Sequence, residues 1–131
     1  GRLLDAIQAA GVAVNLVAVE VNQGLAAELR AKYAPAVGVV CTDFLAEKSL
    51  GFYDAIVMNP PFADGADIKH ITHALTLLKP GGKLVALCAD GPRQNAILRP
   101  MIEARGGYWE QLPAGSFESE GTGVRVALMV L

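Results

Sequence analysis

The sequence has 131 residues, a formal net charge of −2 and 53% hydrophobic residues. This length and composition suit one compact domain with a buried core and exclude a disordered chain. The weak negative charge argues against a protein that coats nucleic acid by charge alone. No apolar run reaches the ~18 residues that cross a membrane. Cys41 and Cys88 lie in apolar runs, which is typical of reduced core thiols in a cytoplasmic protein.

The hydrophobic pattern predicts helices and strands in alternation. Helices are expected over residues 2–10, 23–33, 67–79 and 95–105, and strands over 16–20, 37–42, 55–58, 84–89, 108–112 and 124–131. A tight turn is expected at Lys79-Pro80-Gly81-Gly82. The last two strands have no helix between them, which predicts an antiparallel hairpin. The order of elements predicts an α/β fold, a mostly parallel sheet with helices on both faces.

Polar residues follow several of the predicted strands. Glu20, Asp43, Asn59 and Asp90 each come at the end of an apolar run. Ligands of open α/β sheets bind at the carboxyl ends of the strands. These positions are therefore the first candidates for binding or chemistry.

The segment Asn59-Pro60-Pro61-Phe62, here called the NPPF motif, follows the third strand. Proline has no backbone N–H and a fixed φ, so this turn is stiff and leaves the Pro60 carbonyl as an outward acceptor. The Asn59 side chain supplies a second acceptor, and Phe62 supplies a flat apolar face. Two acceptors and a stacking face suit an exocyclic amine on a planar ring. The structural alternative is a strand ended by proline, with Phe62 in the core.

The NPPF motif after a hydrophobic strand resembles the catalytic motif of class I S-adenosylmethionine-dependent amino-methyltransferases, above all N6-adenine DNA methyltransferases of the small phage or mobile-element type. The resemblance extends through Glu20, Thr42-Asp43-Phe44, the turn and strand start at 79–84, and the closing loop with Phe117 and Gly121-Thr122. It implies a three-layer, Rossmann-like methyltransferase sheet. It also implies S-adenosylmethionine as cofactor and nucleic acid as substrate, with DNA favoured.

The resemblance implies a role for each residue of the motif. The carbonyls of Asn59 and Pro60 accept hydrogen bonds from the target amine, which localises the nitrogen lone pair for attack. Phe62 stacks on a base flipped out of the duplex. The predicted catalytic residues are therefore Asn59, Pro60, Pro61 and Phe62.

The strand ends are implied to hold the cofactor. A carboxylate at Glu20 can accept both ribose hydroxyls, and its distance from Gly1 fits the ~20 residues between a glycine loop and a ribose acid. Asp43 is implied to accept from the adenine amino group, between side chains that pack on the ring. The alternatives are a solvated loop acid at Glu20 and a cap or turn acid at Asp43. The predicted cofactor-binding residues are Gly1, Glu20, Val21, Asp43, Phe44 and Asn59.

One part of the family pattern is not found. The strand and glycine-rich loop that wrap the methionine end of the cofactor are missing, and Gly1 resembles the last glycine of that loop. The missing strand belongs between the strands at 16–20 and 54–58, where its absence exposes apolar surface worth ~25 cal/mol per Å². We therefore expect residues 1–131 to be a methyltransferase domain truncated at its N-terminus. A separate domain or subunit is expected to recognise the target.

Other polar residues are expected to be structural. His70 and His73 share a helix face, but no third ligand is evident, so no metal site is predicted. Asp67 and His70 are expected on a solvated helix face. Lys69 and Arg93 could contact a phosphate, yet single basic residues are usually surface groups.

Three alternative functions stay open. The NPPF motif also resembles that of enzymes which methylate guanine N2 in ribosomal RNA or glutamine in release factors, because these also hold a planar amine. A degenerate, non-catalytic methyltransferase-like subunit is favoured by the missing glycine loop and opposed by the intact motif. A nicotinamide-dependent oxidoreductase shares the acidic strand end but gives no reason for the NPPF motif.

Overall fold

A computed structural model of the chain describes residues 1–117 and 123–131. The chain divides into two compact units, residues 1–49 and residues 50–131. The first unit contains α1 (Arg2–Ala9), β1 (Leu16–Glu20), α2 (Gln23–Tyr33) and β2 (Val37–Cys41). The second contains β3 (Tyr53–Met58), a 3-10 turn (Ala63–Gly65), α3 (Ala66–Thr76), β4 (Leu78–Ala89), α4 (Pro92–Ala104), β5 (Tyr108–Gln111) and β6 (Val126–Val130).

The first unit is built on two parallel strands. β1 and β2 pair in register from Leu16 opposite Val37 to Glu20 opposite Cys41. The connecting helix α2 begins at Asn22, whose side chain accepts a hydrogen bond from the Leu25 amide at 3.0 Å. Such a cap satisfies one of the free amides of a helix start, so the chain leaves β1 and enters α2 within two residues.

The second unit is built on a four-stranded sheet in the order β3-β4-β6-β5. β3 and β4 are parallel, whereas β6 is antiparallel to both β4 and β5. The predicted C-terminal hairpin is therefore confirmed. The buried core of the second unit is apolar and includes Ile71, Leu84, Leu98, Ile102 and Met129. The α/β class is confirmed, with parallel strands followed by an antiparallel C-terminal pair.

The expected turn at Lys79–Gly82 is found inside β4 as an irregularity of the strand. Tyr53 pairs with Leu78 but Ala55 pairs with Lys83, so the intervening residues bulge out of the ladder. α3 ends at Thr76, earlier than expected, because the Leu77 carbonyl already accepts from the Tyr53 amide at 2.8 Å. Pairing with β3 thus takes over these residues from the helix.

The strands form two sheets rather than the one sheet expected. In the part of the chain that the structure describes, β1 pairs only with β2, and β3 has β4 as its only strand partner. No helix among the described residues is long and apolar enough to cross a membrane.

Candidate functional site

The acids predicted to bind the cofactor lie at one edge of the first unit's sheet. The Thr42 amide donates to the Glu20 carbonyl at 3.1 Å, which continues the pairing just past both strands. The half-buried Glu20 accepts from the Asn22 amide through Oε1 at 2.8 Å, and Asp43 accepts from the Leu45 amide through Oδ1 at 2.9 Å. Each carboxylate is thereby oriented through one oxygen. Its other oxygen has no hydrogen-bond partner among residues 1–117 and 123–131.

The two predicted ring-packing side chains directly follow these acids. Val21 is 69% exposed just past β1. Phe44 is half-buried in the segment after β2. Both therefore lie at the same sheet edge as the carboxylates, and their contact with an adenine ring stays a prediction.

Gly1 lies at the start of α1, in contact with Tyr33. The Tyr33 hydroxyl donates to Asp5 Oδ1 at 2.7 Å and lies 3.2 Å from the Gly1 carbonyl oxygen. A Cβ on Gly1 would be 2.6 Å from that hydroxyl, so the site fits glycine and no larger residue. Lys32 also binds Asp5, at 2.8 Å, and the hydrogen bonds from Lys32 and Tyr33 lower the pKa of the Asp5 carboxyl. Sequence reasoning missed Tyr33, because its partners are 28 and 32 residues away.

The NPPF motif begins where β3 leaves the second sheet. Met58, the last residue of β3, pairs with Ala86. Asn59 and Pro61 are exposed, Pro60 is buried and Phe62 is half-buried. Among the described residues, neither the Asn59 side chain nor the Pro60 carbonyl has a hydrogen-bond partner. Both acceptors therefore lack a partner within the described chain, and their catalytic role stays a prediction.

The loop after the motif has an unusual backbone. Asp64 and Gly65 both have positive φ, at 54° and 70°. A residue other than glycine rarely adopts this conformation, and such residues often mark functional loops. A Cβ on Gly65 would be 2.9 Å from Nη1 of Arg93, so that guanidinium rests on the loop. Arg93 is exposed and has no ion pair or hydrogen bond with any residue in the described ranges.

Asp67 is fully buried, which corrects the expectation of a solvated helix face. Its Oδ2 accepts from the Ala89 amide at 2.9 Å, and both of its oxygens lie 3.0 Å from Nε2 of Gln94. These donors offset the cost of removing a carboxylate from water. The local sequence could not predict the burial of Asp67, because its partners Ala89 and Gln94 are 22 and 27 residues further along the chain.

A second buried carboxylate, Asp90, follows β4. It accepts from Asn95 Nδ2 through Oδ1 and from Gln111 Nε2 through Oδ2, both at 2.8 Å. Its own amide donates to the Arg125 carbonyl at 2.7 Å. Asp90 therefore fixes the start of α4 and both ends of the loop between β5 and β6.

The remaining candidates have other surroundings. Cys88 is buried beside Asp67 and Asp90, and burial raises the pKa of its thiol to about 12.

His70 places Nδ1 2.7 Å from the Ala66 carbonyl, and no group of three or more metal-ligating side chains occurs among residues 1–117 and 123–131. Phe117 is half-buried. Gly121 and Thr122 lie outside the described residues.

Parallel strands connected by helices, with polar residues at the strand ends, are the elements of a Rossmann-like α/β fold. The sequence matches the family model for the methyltransferase small domain over residues 4–104. The chain therefore belongs to the methyltransferase small domain family. Comparison with curated proteins gives no significant sequence match.

Solved structures share this fold at low sequence identity. A class I S-adenosylmethionine-dependent methyltransferase of Listeria monocytogenes is 21% identical with a TM-score of 0.66, covering 92% of this chain and 45% of that one. An RNA methyltransferase of Pyrococcus horikoshii is 15% identical, with a TM-score of 0.65 and coverage of 88% and 61%. The glycopeptide N-methyltransferase MtfA in complex with S-adenosylmethionine is 14% identical, with a TM-score of 0.65 and coverage of 100% and 82%. The chain thus spans 45% and 61% of the bacterial and archaeal proteins.

Proposed function

We propose that this domain transfers a methyl group from S-adenosylmethionine to an exocyclic amine, with N6 of adenine in DNA as the first substrate. The observation that carries the proposal is a pair of acceptors without a hydrogen-bond partner in residues 1–117 and 123–131, the Asn59 side chain and the Pro60 carbonyl, beside the half-buried Phe62. A planar amine needs two acceptors and an apolar face, and the NPPF motif offers both.

The first unit fits the adenosyl end of the cofactor. Glu20 and Asp43 each have one carboxylate oxygen without a partner in the described residues, which can accept from a hydroxyl or amino donor. The exposed Val21 and half-buried Phe44 offer apolar surface beside them. When bound, S-adenosylmethionine supplies an electrophilic methyl group on its sulfonium.

The second unit supplies the groups that act on the amine. Asn59 Oδ1 and the Pro60 carbonyl oxygen each accept one N–H of the amine, which draws its lone pair out of the ring system. Phe62 holds the ring in place by stacking. These residues orient and polarise the nitrogen, and no side chain forms a covalent bond with the substrate.

Arg93 adds a reason to favour nucleic acid. Its exposed guanidinium rests on Gly65 at the end of the motif loop, without an acidic partner in the described residues. An unpaired guanidinium suits a backbone phosphate. The chain carries a net charge of −2, so a few such contacts, together with a separate recognition domain or subunit, must supply the affinity for DNA.

The test is transfer of labelled methyl groups from S-adenosylmethionine to unmethylated duplex DNA, ribosomal RNA and protein. We expect label in DNA, recovered as N6-methyladenine. Label in RNA or protein alone would contradict the DNA assignment and support guanine N2 or glutamine as the acceptor. Cofactor binding without transfer to any substrate would favour a non-catalytic subunit.

A further inference from the structure

Both ends of the loop that carries the NPPF motif are fastened to the last residues of β4. At its start, Met58 is paired with Ala86. At its end, Asp67 accepts a hydrogen bond from the Ala89 amide at 2.9 Å. The loop over residues 59–65 is therefore flanked on both sides by residues that bind one short stretch of β4, residues 86–89.

The second attachment depends on a buried pair of side chains. Asp67 is 0% exposed and Gln94 is 6% exposed. The Gln94 amide donates to the Asp67 carboxylate, while the Ile68 amide donates to Asp67 Oδ1 at 2.9 Å. A buried carboxylate needs several donors, and removing one leaves a cost that the surrounding structure must absorb.

The same turn of α4 contacts the loop directly. Arg93, the neighbour of Gln94, rests on Gly65, where two consecutive residues have positive φ. A displacement of Gln94 therefore moves both the carboxylate that ends the loop and the guanidinium that covers it. The loop conformation is determined from β4 and α4 as well as by its own prolines.

We propose that Asp67 and Gln94 are positioning residues that hold the NPPF loop in its reactive geometry. Neither side chain reaches the reacting amine, and both act through Asn59 and Pro60. The catalytic part of this inference rests on the proposed function. Its structural part is measurable without any substrate.

The variant Gln94→Glu tests the pair most sharply. It replaces an amide that lies 3.0 Å from both Asp67 oxygens with a second carboxyl group. Two carboxylates at this distance repel each other, so the pair shares one proton until the pH exceeds its raised upper pKa, and only above that pH do both groups ionise. At about pH 8.5 we expect kcat to fall about tenfold or more, and at about pH 6 the shared proton should restore most of it.

The double variant Asp67→Asn/Gln94→Glu provides the rescue. It exchanges the amide and the carboxylate, so one donor and one acceptor again face each other. The asparagine oxygen can keep the Ala89 amide as its partner, and only the amide of the half-buried Ile68 loses its side-chain acceptor. We expect its kcat to return to within about threefold of wild type at both pH values. Gln8→Glu, the same charge change on an exposed position of α1, is the matched control and should leave activity unchanged.

Amide NMR spectra decide the structural part independently of catalysis. In Gln94→Glu above neutral pH, the resonances of Phe62 to Ala66 and of Ala89 should shift, while those of β1 and β2 stay in place. The double variant should restore them. Unshifted loop resonances, or a kcat equally low at both pH values and in the double variant, would overturn the proposal. If the wild-type protein methylates no substrate, the proposed function fails. The NMR spectra alone then test whether Asp67 and Gln94 hold the loop in place.

Discussion

Two pairs of carboxylates, one pair in each unit of the chain, are held differently. In residues 1–49, Glu20 and Asp43 each accept from an amide two residues further along, and each has one oxygen without a partner among residues 1–117 and 123–131. In residues 50–131, Asp67 and Asp90 are buried and bound by side chains 27 and 21 residues away. A local turn orients a carboxylate and leaves one of its oxygens for a ligand. A long-range network instead occupies both oxygens and thereby holds the backbone in place. The first arrangement suits binding and the second suits support of a catalytic loop.

The two cysteines give the largest expected contrast between the units. Cys88 in the second unit is buried and its pKa is raised from 9.0 to about 12, whereas Cys41 in the first unit is half-buried. Thiolate is the reactive form, so a shift of this size lowers the reactive fraction of Cys88 about a thousandfold below pH 9.

A disulfide reagent followed by peptide mass analysis measures this contrast. At about pH 8 we expect Cys41 to be labelled first, with Cys88 gaining reactivity only as the pH approaches its raised pKa. Cys41→Ser should remove the fast phase. Equal labelling of both cysteines in the folded protein would show that the second unit opens as readily as the first.

The next largest effect is expected at the NPPF motif. Asn59→Ala removes an acceptor that orients and polarises the amine, so turnover should fall about 100-fold or more. Single-turnover methyl transfer with saturating cofactor measures this loss directly. Asn15→Ala, at an exposed position of the first unit, serves as the control. Retention of most activity in Asn59→Ala would remove Asn59 from the mechanism.

A smaller effect is expected at Arg93. Arg93→Gln should weaken DNA binding by about the same factor for every sequence, and should reduce the slope of log affinity against log salt by about 1 if one phosphate contact is lost. Arg99→Gln is the matched control on the same helix, because Arg99 is paired with Glu103 at 2.9 Å. An equal effect of the two variants on the salt slope would indicate general charge rather than a contact beside the loop.

Much of the fold could be predicted from local pattern. The apolar runs before Glu20 and Asn59 predicted parallel strands, and the Gly-rich segment without a helix predicted the terminal hairpin. The expected burial of these two strands is not found, because no residue of β1 or β3 is buried. The bulge at 79–82 could not be predicted, because Pro80 and Gly81 suit a turn equally well. The pairing of Tyr53 with Leu78, between distant parts of the chain, makes this segment a bulge within β4 and not a turn between elements.

In the candidate site, too, some residues could be predicted from local sequence and others could not. The strand-end acids and the NPPF motif are contiguous in sequence and follow from the chemistry of a few neighbouring residues. Tyr33 beside Gly1 and Gln94 beside Asp67 are contacts over 32 and 27 residues, and each partner alone is an ordinary helix residue. Groups that support a site are chosen by tertiary packing, so a single sequence does not reveal them.

The most direct test of the account is a calorimetric titration of S-adenosylmethionine into the wild-type protein, Glu20→Ala and Asn59→Ala. The account predicts that Glu20→Ala weakens binding by roughly 1–3 kcal/mol, the worth of a charged hydrogen bond. Asn59→Ala should bind the cofactor with nearly wild-type affinity, because its main role is toward the amine. Wild-type affinity in Glu20→Ala, or equal losses in both variants, would contradict the division between a cofactor-binding first unit and a catalytic second unit.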